Sequence, residues 1–185
     1  VSTAPLEQAP NSPDARVRWG ATRVFALHPA TLARQPQMAD ALIAATLVGS
    51  RGKVYGLDMT EAMLSKARAN ARKMNASHLE FVEGNAEAIP LPNASVDSAT
   101  SNGVLNLVPD KPGAFSEIYR VLRPGGRIQI ADIVLGRPIR AESRNDPQLW
   151  AECIVGAVQE EDYLVLLRST GFKNVTVIGT LDYFS

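Results

Sequence analysis

From Arg23 onward the apolar positions fall into short buried-looking runs that alternate with helical stripes. Lys53-Val-Tyr-Gly-Leu57 reads as a short strand ending in Asp58, and Thr60 stands where a helix N-cap is expected. Over 61–74, Met63, Leu64, Ala67, Ala71 and Met74 recur at three- and four-residue spacings. This predicts an amphipathic helix with Lys66, Arg68, Arg72 and Lys73 facing outward. Leu79–Glu83 is the next strand, closed by Gly84-Asn85 and followed by the loop Ala88-Ile-Pro-Leu-Pro92.

The second half repeats the theme. Ser95–Ser101 is a weaker strand ending in Asn102-Gly103, and a helix is expected over 110–122 from its caps and the spacing of Phe115, Ile118, Tyr119 and Leu122. Arg123-Pro-Gly-Gly126 stops that helix, and 127–132 is a strong strand reaching Val134. Helices over 148–157 and 160–170, with Gly171 past the end of the latter, and a strand over 173–179 complete the reading. The order βαβαβαβααβ predicts an α/β fold, a mostly parallel sheet with helices on both faces. Residues 1–22, with Pro5, Pro10 and Pro13 among small polar residues, read as a flexible N-terminal arm, and 23–185 as one domain. The last strand-like run meets the chain end at Ser185, so the expectation is a fold lacking its final strand. An unpaired edge of that kind invites association.

Composition narrows the function. The 185 residues hold 19 Lys+Arg against 19 Asp+Glu, a balance that argues against nucleic acid or an anionic membrane as partner. No run approaches the roughly 18 apolar residues of a membrane helix. A lone cysteine, Cys153, excludes an internal disulfide framework and a Cys-rich zinc site; no metal site is assigned, and a reducing, cytoplasmic setting is expected. The oligomeric state stays open.

In open α/β sheets ligands bind beyond the carboxyl ends of the strands. There the sequence places Asp58-Met59, Gly84-Asn85-Ala86-Glu87, Ser101-Asn102-Gly103 and Asp132. A carboxylate after a second strand has two oxygens to accept from the vicinal hydroxyls of a ribose, which suits Asp58; a turn or capping Asp is the equal alternative. Met59 offers a flexible apolar face to an aromatic ring and Asn85 an amide to a base edge, although core methionine and turn asparagine are the commoner readings. Glu87 reads alone as a solvated helix-start charge, His28 as an incidental loop residue and His78 as a surface residue at a helix exit. Together the strand-end residues predict a nucleoside site.

The segments GKVYGLDMTEAMLSKARANA, VEGNAEAIPLPNASVD, SNGVLNLVPDK, IYRVLRPGGRIQIADIV and WAECIVGA resemble class I S-adenosylmethionine-dependent methyltransferases, most closely the arsenite methyltransferase branch, over about 38–185. The resemblance implies a Rossmann-like fold with S-adenosyl-L-methionine as cofactor. It implies that Asp58 binds the ribose, Met59 packs on adenine, and Asn85 with Ala86 lies along the adenine edge, Glu87 being counted among the cofactor-binding residues. Asn102 and Gly103 line the methionine portion, and Asp40, where the helix after the first loop begins, joins the donor set. Cys153 matches one of the cysteines that hold arsenic in that branch and is the candidate catalytic residue.

Two departures accompany the match. The family's glycine-rich first loop should fall near 29–39, yet no glycine occurs from Ala21 to Val48 and Pro29 and Pro36 stiffen the segment, so the loop and its strand read as replaced. Gly103 stands where the family's SNC motif has a second cysteine. The reaction expected is methyl transfer to a small molecule, with arsenite one candidate and Asp132 or Glu152 as base for a hydroxyl acceptor. The alternative is a methyltransferase scaffold with a degenerate donor site. A nicotinamide oxidoreductase ranks last, since G-x-G-x-x-G is absent.

Overall fold

The computed structural model describes residues 23–27, 39–139, 143 and 145–181 of the chain. The expectations for the 1–22 arm, His28, the 29–38 part of the first loop and the chain's last four residues lie outside these. Five parallel strands form one sheet in the order β3-β2-β1-β4-β5: β1 Arg23–Leu27, β2 Lys53–Asp58, β3 Leu79–Glu83, β4 Val96–Asn102 and β5 Leu122–Ala131. The helices are α1 Ala39–Val48, α2 Glu61–Lys73, α3 Lys111–Val121, α4 Pro147–Ala151 and α5 Glu160–Thr170. A 3-10 turn at Leu105–Leu107 follows β4.

Because successive strand residues point to opposite faces, the sheet carries two cores. On one face Val54, Leu79 and Phe81 pack with Ala41, Ala45 and Val48 of α1 and Leu64, Ala67 and Ala71 of α2. On the other, Leu57, Val96 and Ala99 pack with Ala114, Phe115, Ile118 and Val121 of α3 and Tyr163 and Leu167 of α5. The expected helices on both faces are therefore present, and of the α2 stripe Leu64, Ala67 and Ala71 are buried while Met63 is half-buried and Met74 exposed.

Several expectations need correction. The first strand is not replaced: β1 sits at the centre of the sheet, paired with β2 and β4. No helix intervenes between β3 and β4; residues 84–95 form a loop with a single bridge, Asn85 to Ala88. The 148–157 helix stops at Ala151, because Cys153 takes a left-handed φ of 63° and Gly156 must pass so close to Asn106 that any Cβ would collide with its carbonyl. The expected strand over 173–179 has no ladder partner among the described residues and is irregular, with Val177 and Ile178 exposed.

Arg123-Pro-Gly-Gly126 follows the end of α3 as expected but lies inside β5, which runs from Leu122 to Ala131 instead of over 127–132 to Val134. Gly125 turns the chain at φ 79°, and a Cβ on Gly126 would press on the Arg123 and Asp97 carbonyls. Arg123 then reaches across to Asp97 at 2.9 Å, which secures the offset in register between β4 and β5.

Candidate donor and acceptor sites at the strand ends

All five strands run the same way, so their carboxyl ends form one rim. Leu27 lies level with Leu57 and Ser101, and Asn102 with Ala131. The predicted site residues 58–59, 85–87 and 102–103 are at this rim, and α1 begins there with Asp40 in its first turn.

Asp58 is only 4% exposed. Its Oδ1 accepts the Thr60 N–H at 2.8 Å, which shapes the turn into α2; Thr60 is the N-cap by position but its side chain caps nothing. The other carboxylate oxygen, Oδ2, is buried and has no partner among the described residues. A buried carboxylate oxygen left unbonded costs about 1–3 kcal/mol, so the arrangement calls for a donor from outside this set. Met59 beside it is 65% exposed, an unpaid apolar surface at the mouth of the site.

The loop after β3 is braced from several sides. The Gly84 N–H donates to the Asp58 carbonyl at 3.1 Å, and a Cβ on Gly84 would clash with Pro90 and Leu57. Asn85 Nδ2 donates to Glu87 Oε2 at 2.9 Å, and the Glu87 N–H returns to Asn85 Oδ1 at 3.0 Å. Glu87 Oε1 also accepts the Asp110 N–H at 2.9 Å, so it is a brace and not the solvated charge expected. Asn85 keeps one amide hydrogen and one acceptor lone pair for a ligand. Ala86 is buried beneath them.

Farther along the loop, Arg120 of α3 donates to the carbonyls of Ile89 and Leu91 and to Asn93, at 2.7 to 2.9 Å. Its neighbour Glu117 accepts the Ile89 N–H, and the Arg120 guanidinium holds the Glu117 carboxyl below the usual range. His78 is likewise not a free surface residue: it bonds the Ala45 carbonyl of α1 at 2.7 Å.

At the ends of β4 and β5 a second polar group assembles. Asn102 is exposed and Gly103 turns at φ 71°, its N–H bonded to the Ala131 carbonyl. The Cys153 thiol donates to the Gly103 carbonyl at 3.3 Å, so the loop after α4 brings these two predicted residues into contact. Burial, and next the Asp132 charge, push the Cys153 thiol up, leaving it protonated at neutral pH.

Asp132 Oδ2 accepts the Tyr163 hydroxyl at 2.6 Å, while its Oδ1 is buried without a partner among the described residues. Burial drives its carboxyl up to about 6, opposed by the Tyr163 hydroxyl, the nearby Gly103 N–H and the charge of Lys111. Burial lowers Lys111, whose Nζ donates to the Val108 carbonyl at 3.1 Å. Burial raises the Tyr163 phenol. Glu152, the other base expected, is exposed and bonded to Gln148.

Asp40 is half-buried in the first turn of α1 and makes no hydrogen bond to Asp58 or Asn85 among the described residues. The residues that pattern reading passed over are Asn106, Lys111 and Tyr163; Ser101, placed at the strand end by the sequence, is buried there. A signal existed in the run Asn106-Leu-Val-Pro-Asp-Lys111, where polar residues bracket an apolar stretch after a strand end; Asn106 and Lys111 prove buried.

The methyltransferase-domain family matches residues 38–171 of this sequence. The chain belongs to that family. Among curated relatives it is 41% identical over 138 residues to the arsenite methyltransferase of Halobacterium salinarum, covering 75% of this chain and 35% of that protein. It is 34% identical over 142 residues to the human arsenite methyltransferase, covering 72% of this chain and 38% of that one. The fold agrees: the crystal structure of CrArsM, an arsenic (III) S-adenosylmethionine methyltransferase from Chlamydomonas reinhardtii, superposes with a TM-score of 0.70 at 34% identity, covering 87% of this chain and 59% of that one. This methyltransferase domain thus lies on the arsenite branch of the class I fold, and it spans less than half the length of those curated relatives. Among the described residues no group of three His, Cys, Asp or Glu is arranged to hold a metal ion, and no helix is long and apolar enough to cross a membrane.

Proposed function

We propose that this domain transfers a methyl group from S-adenosylmethionine to a small-molecule acceptor, arsenite being the acceptor to assay first. The observation that carries the reading is the buried, unpartnered Asp58 Oδ2 at the end of β2, the position and chemistry required to receive a ribose hydroxyl.

When bound, the donor supplies a methyl on a positively charged sulfur, open to in-line displacement. The chain's own residues then bind and orient. Asp58 holds the ribose hydroxyls, and Met59 covers one face of the adenine. Asn85, kept in place by Glu87, presents its remaining hydrogen-bond capacity to the adenine edge beside Ala86. Asn102 and Gly103 flank the methionine portion, and Asp40 belongs to the same donor set. Cys153, against Gly103, is the soft group on the acceptor side. Alignment of this kind can supply on the order of 7–11 kcal/mol of the barrier.

The test is transfer of label from methyl-labelled S-adenosylmethionine to arsenite. The wild-type chain is expected to yield labelled methylated arsenic and Asp58→Ala is expected to yield none. Equal label in both would remove Asp58 from the mechanism.

A further inference from the structure

We propose that Asp132 is the acceptor-side carboxylate of this domain: Tyr163 fixes its Oδ2, and its Oδ1 receives the O–H of a neutral, hydroxyl-bearing acceptor and takes its proton as the methyl arrives. This rests on the methyltransferase reading above and specifies the chemistry of its acceptor.

The geometry carries it. Asp132 immediately follows β5, next to the strand end at Asn102 and Gly103 where the reacting methyl would lie. The Tyr163 hydroxyl at 2.6 Å removes the freedom of the carboxylate, and Tyr163 is itself wedged by an edge-to-face contact with Phe115, ring centroids 5.5 Å apart. Only Oδ1 is left to work. Beside it, the backbone closes round the buried Asn106: its Nδ2 donates to the Ile133 carbonyl at 2.9 Å and Gly156 packs on its own carbonyl. Asn106 Oδ1 on the same rim is also buried and without a partner among the described residues, so with Asp132 Oδ1 two acceptors stand open; Ser101 Oγ, likewise unpartnered, is a hydroxyl that can donate or accept. A ligand rich in O–H donors satisfies that surplus; an anion or an aprotic carbon does not.

The thiol next door does not replace it. Cys153 is one sulfur, already donating to Gly103. The other ionisable groups around Asp132 are Lys111 on α3 and Tyr163 on α5. Neither can accept a proton as charged Lys111 and neutral Tyr163 stand.

The step balances. The acceptor's electron pair forms the new bond to the methyl carbon, the sulfur–carbon bond breaks with its pair going to sulfur, and the acceptor's hydroxyl proton moves to Asp132 Oδ1. For neutral arsenous acid the attacking pair is on arsenic and an As–OH proton leaves. For a catechol, attack and proton loss occur at the same oxygen.

The test uses the full chain with S-adenosylmethionine and two probes, arsenous acid and catechol, beside calorimetry of donor binding. Asp132→Asn is expected to bind the donor as the wild type does and to lose about 100-fold or more in kcat on whichever probe is turned over. Wild-type kcat should rise with pH through about 6, the value to which burial moves Asp132. Tyr163→Phe keeps the carboxylate but removes the bond that lowers it, so it should retain turnover with that limb shifted to higher pH, an effect a merely structural tyrosine would not produce. The proposal is overturned if Asp132→Asn stays within threefold of wild type, if the profile is flat through 6, or if a chain that binds the donor methylates neither probe. Failure of the wild type to bind the donor at all overturns the donor reading, and this proposal with it.

Discussion

At the ends of β2 and β3 the site residues are held by near neighbours in sequence, by main-chain turns and by α3; at the ends of β4 and β5 they are held by residues far along the chain. Asp58 is fixed by Thr60, and the 85–87 loop by Gly84, Asp110 and the Glu117–Arg120 pair. In that half Glu117 is held low and Arg120 is raised by their mutual hydrogen bond, and both sit in the brace. In the other half Asp132, Tyr163, Lys111 and Cys153 are all displaced, each first by burial. The first half is a braced frame and the second a cluster of buried ionisable groups. This is the division expected between gripping a donor and handling a proton.

The largest effect should come from Phe115→Ala, which removes a fully buried ring and frees Tyr163. We expect a loss of about 3–5 kcal/mol in denaturant unfolding. Donor affinity of the molecules that remain folded should fall less, since Asp58 is fixed by Thr60 and the 85–87 loop by its own hydrogen bonds, although Ala86 shares the core cluster of Phe115. Comparable loss of donor affinity would mean the two halves are one unit.

Next is the pH dependence of stability. The folded Asp132 carboxyl lies near 6 against 3.8 unperturbed, so folding favours its neutral form. Its contribution is fully present below about pH 4 and is lost as pH rises through about 6. From the size of the shift that loss is about 2–3 kcal/mol. Thermal or urea unfolding of Asp132→Asn should lack this fall, while Asp58→Asn should keep it.

Arg120→Ala releases the 84–95 loop and should weaken donor binding about tenfold, or roughly 1.4 kcal/mol, with little change in the pH slope. Met59→Ala should do least. With the side chain largely in water, Tm should stay put, while donor affinity falls roughly threefold through lost apolar cover, read by calorimetry.

The β2–α2–β3 unit was legible because its signals are local: apolar spacing, an acid after a strand, a Gly-Asn stop. Topology put Asp58 and the 85–87 group at the strand ends, and the family resemblance gave them their roles. The second half was less legible because its contacts are not local. Asp132 and Tyr163 lie 31 residues apart, and Cys153 and Gly103 lie 50 apart, so neither pairing leaves a mark on spacing. The 148–157 helix failed for the same reason, since its apolar pattern continues while the packing of Gly156 on Asn106 bends the backbone away. Val175, Val177 and Ile178 alternate well enough for a strand, yet a strand also needs a paired edge, and the described residues provide none there.

The central claim is that Asp58 closes its open hydrogen-bond site on the donor's ribose. Titrating S-adenosylmethionine into the wild-type chain and into Asp58→Ala by calorimetry tests it most directly. The account predicts micromolar binding by the wild type and a loss of about 100-fold on substitution. Equal affinity in the two chains, or no heat from the wild type at millimolar donor, would contradict it.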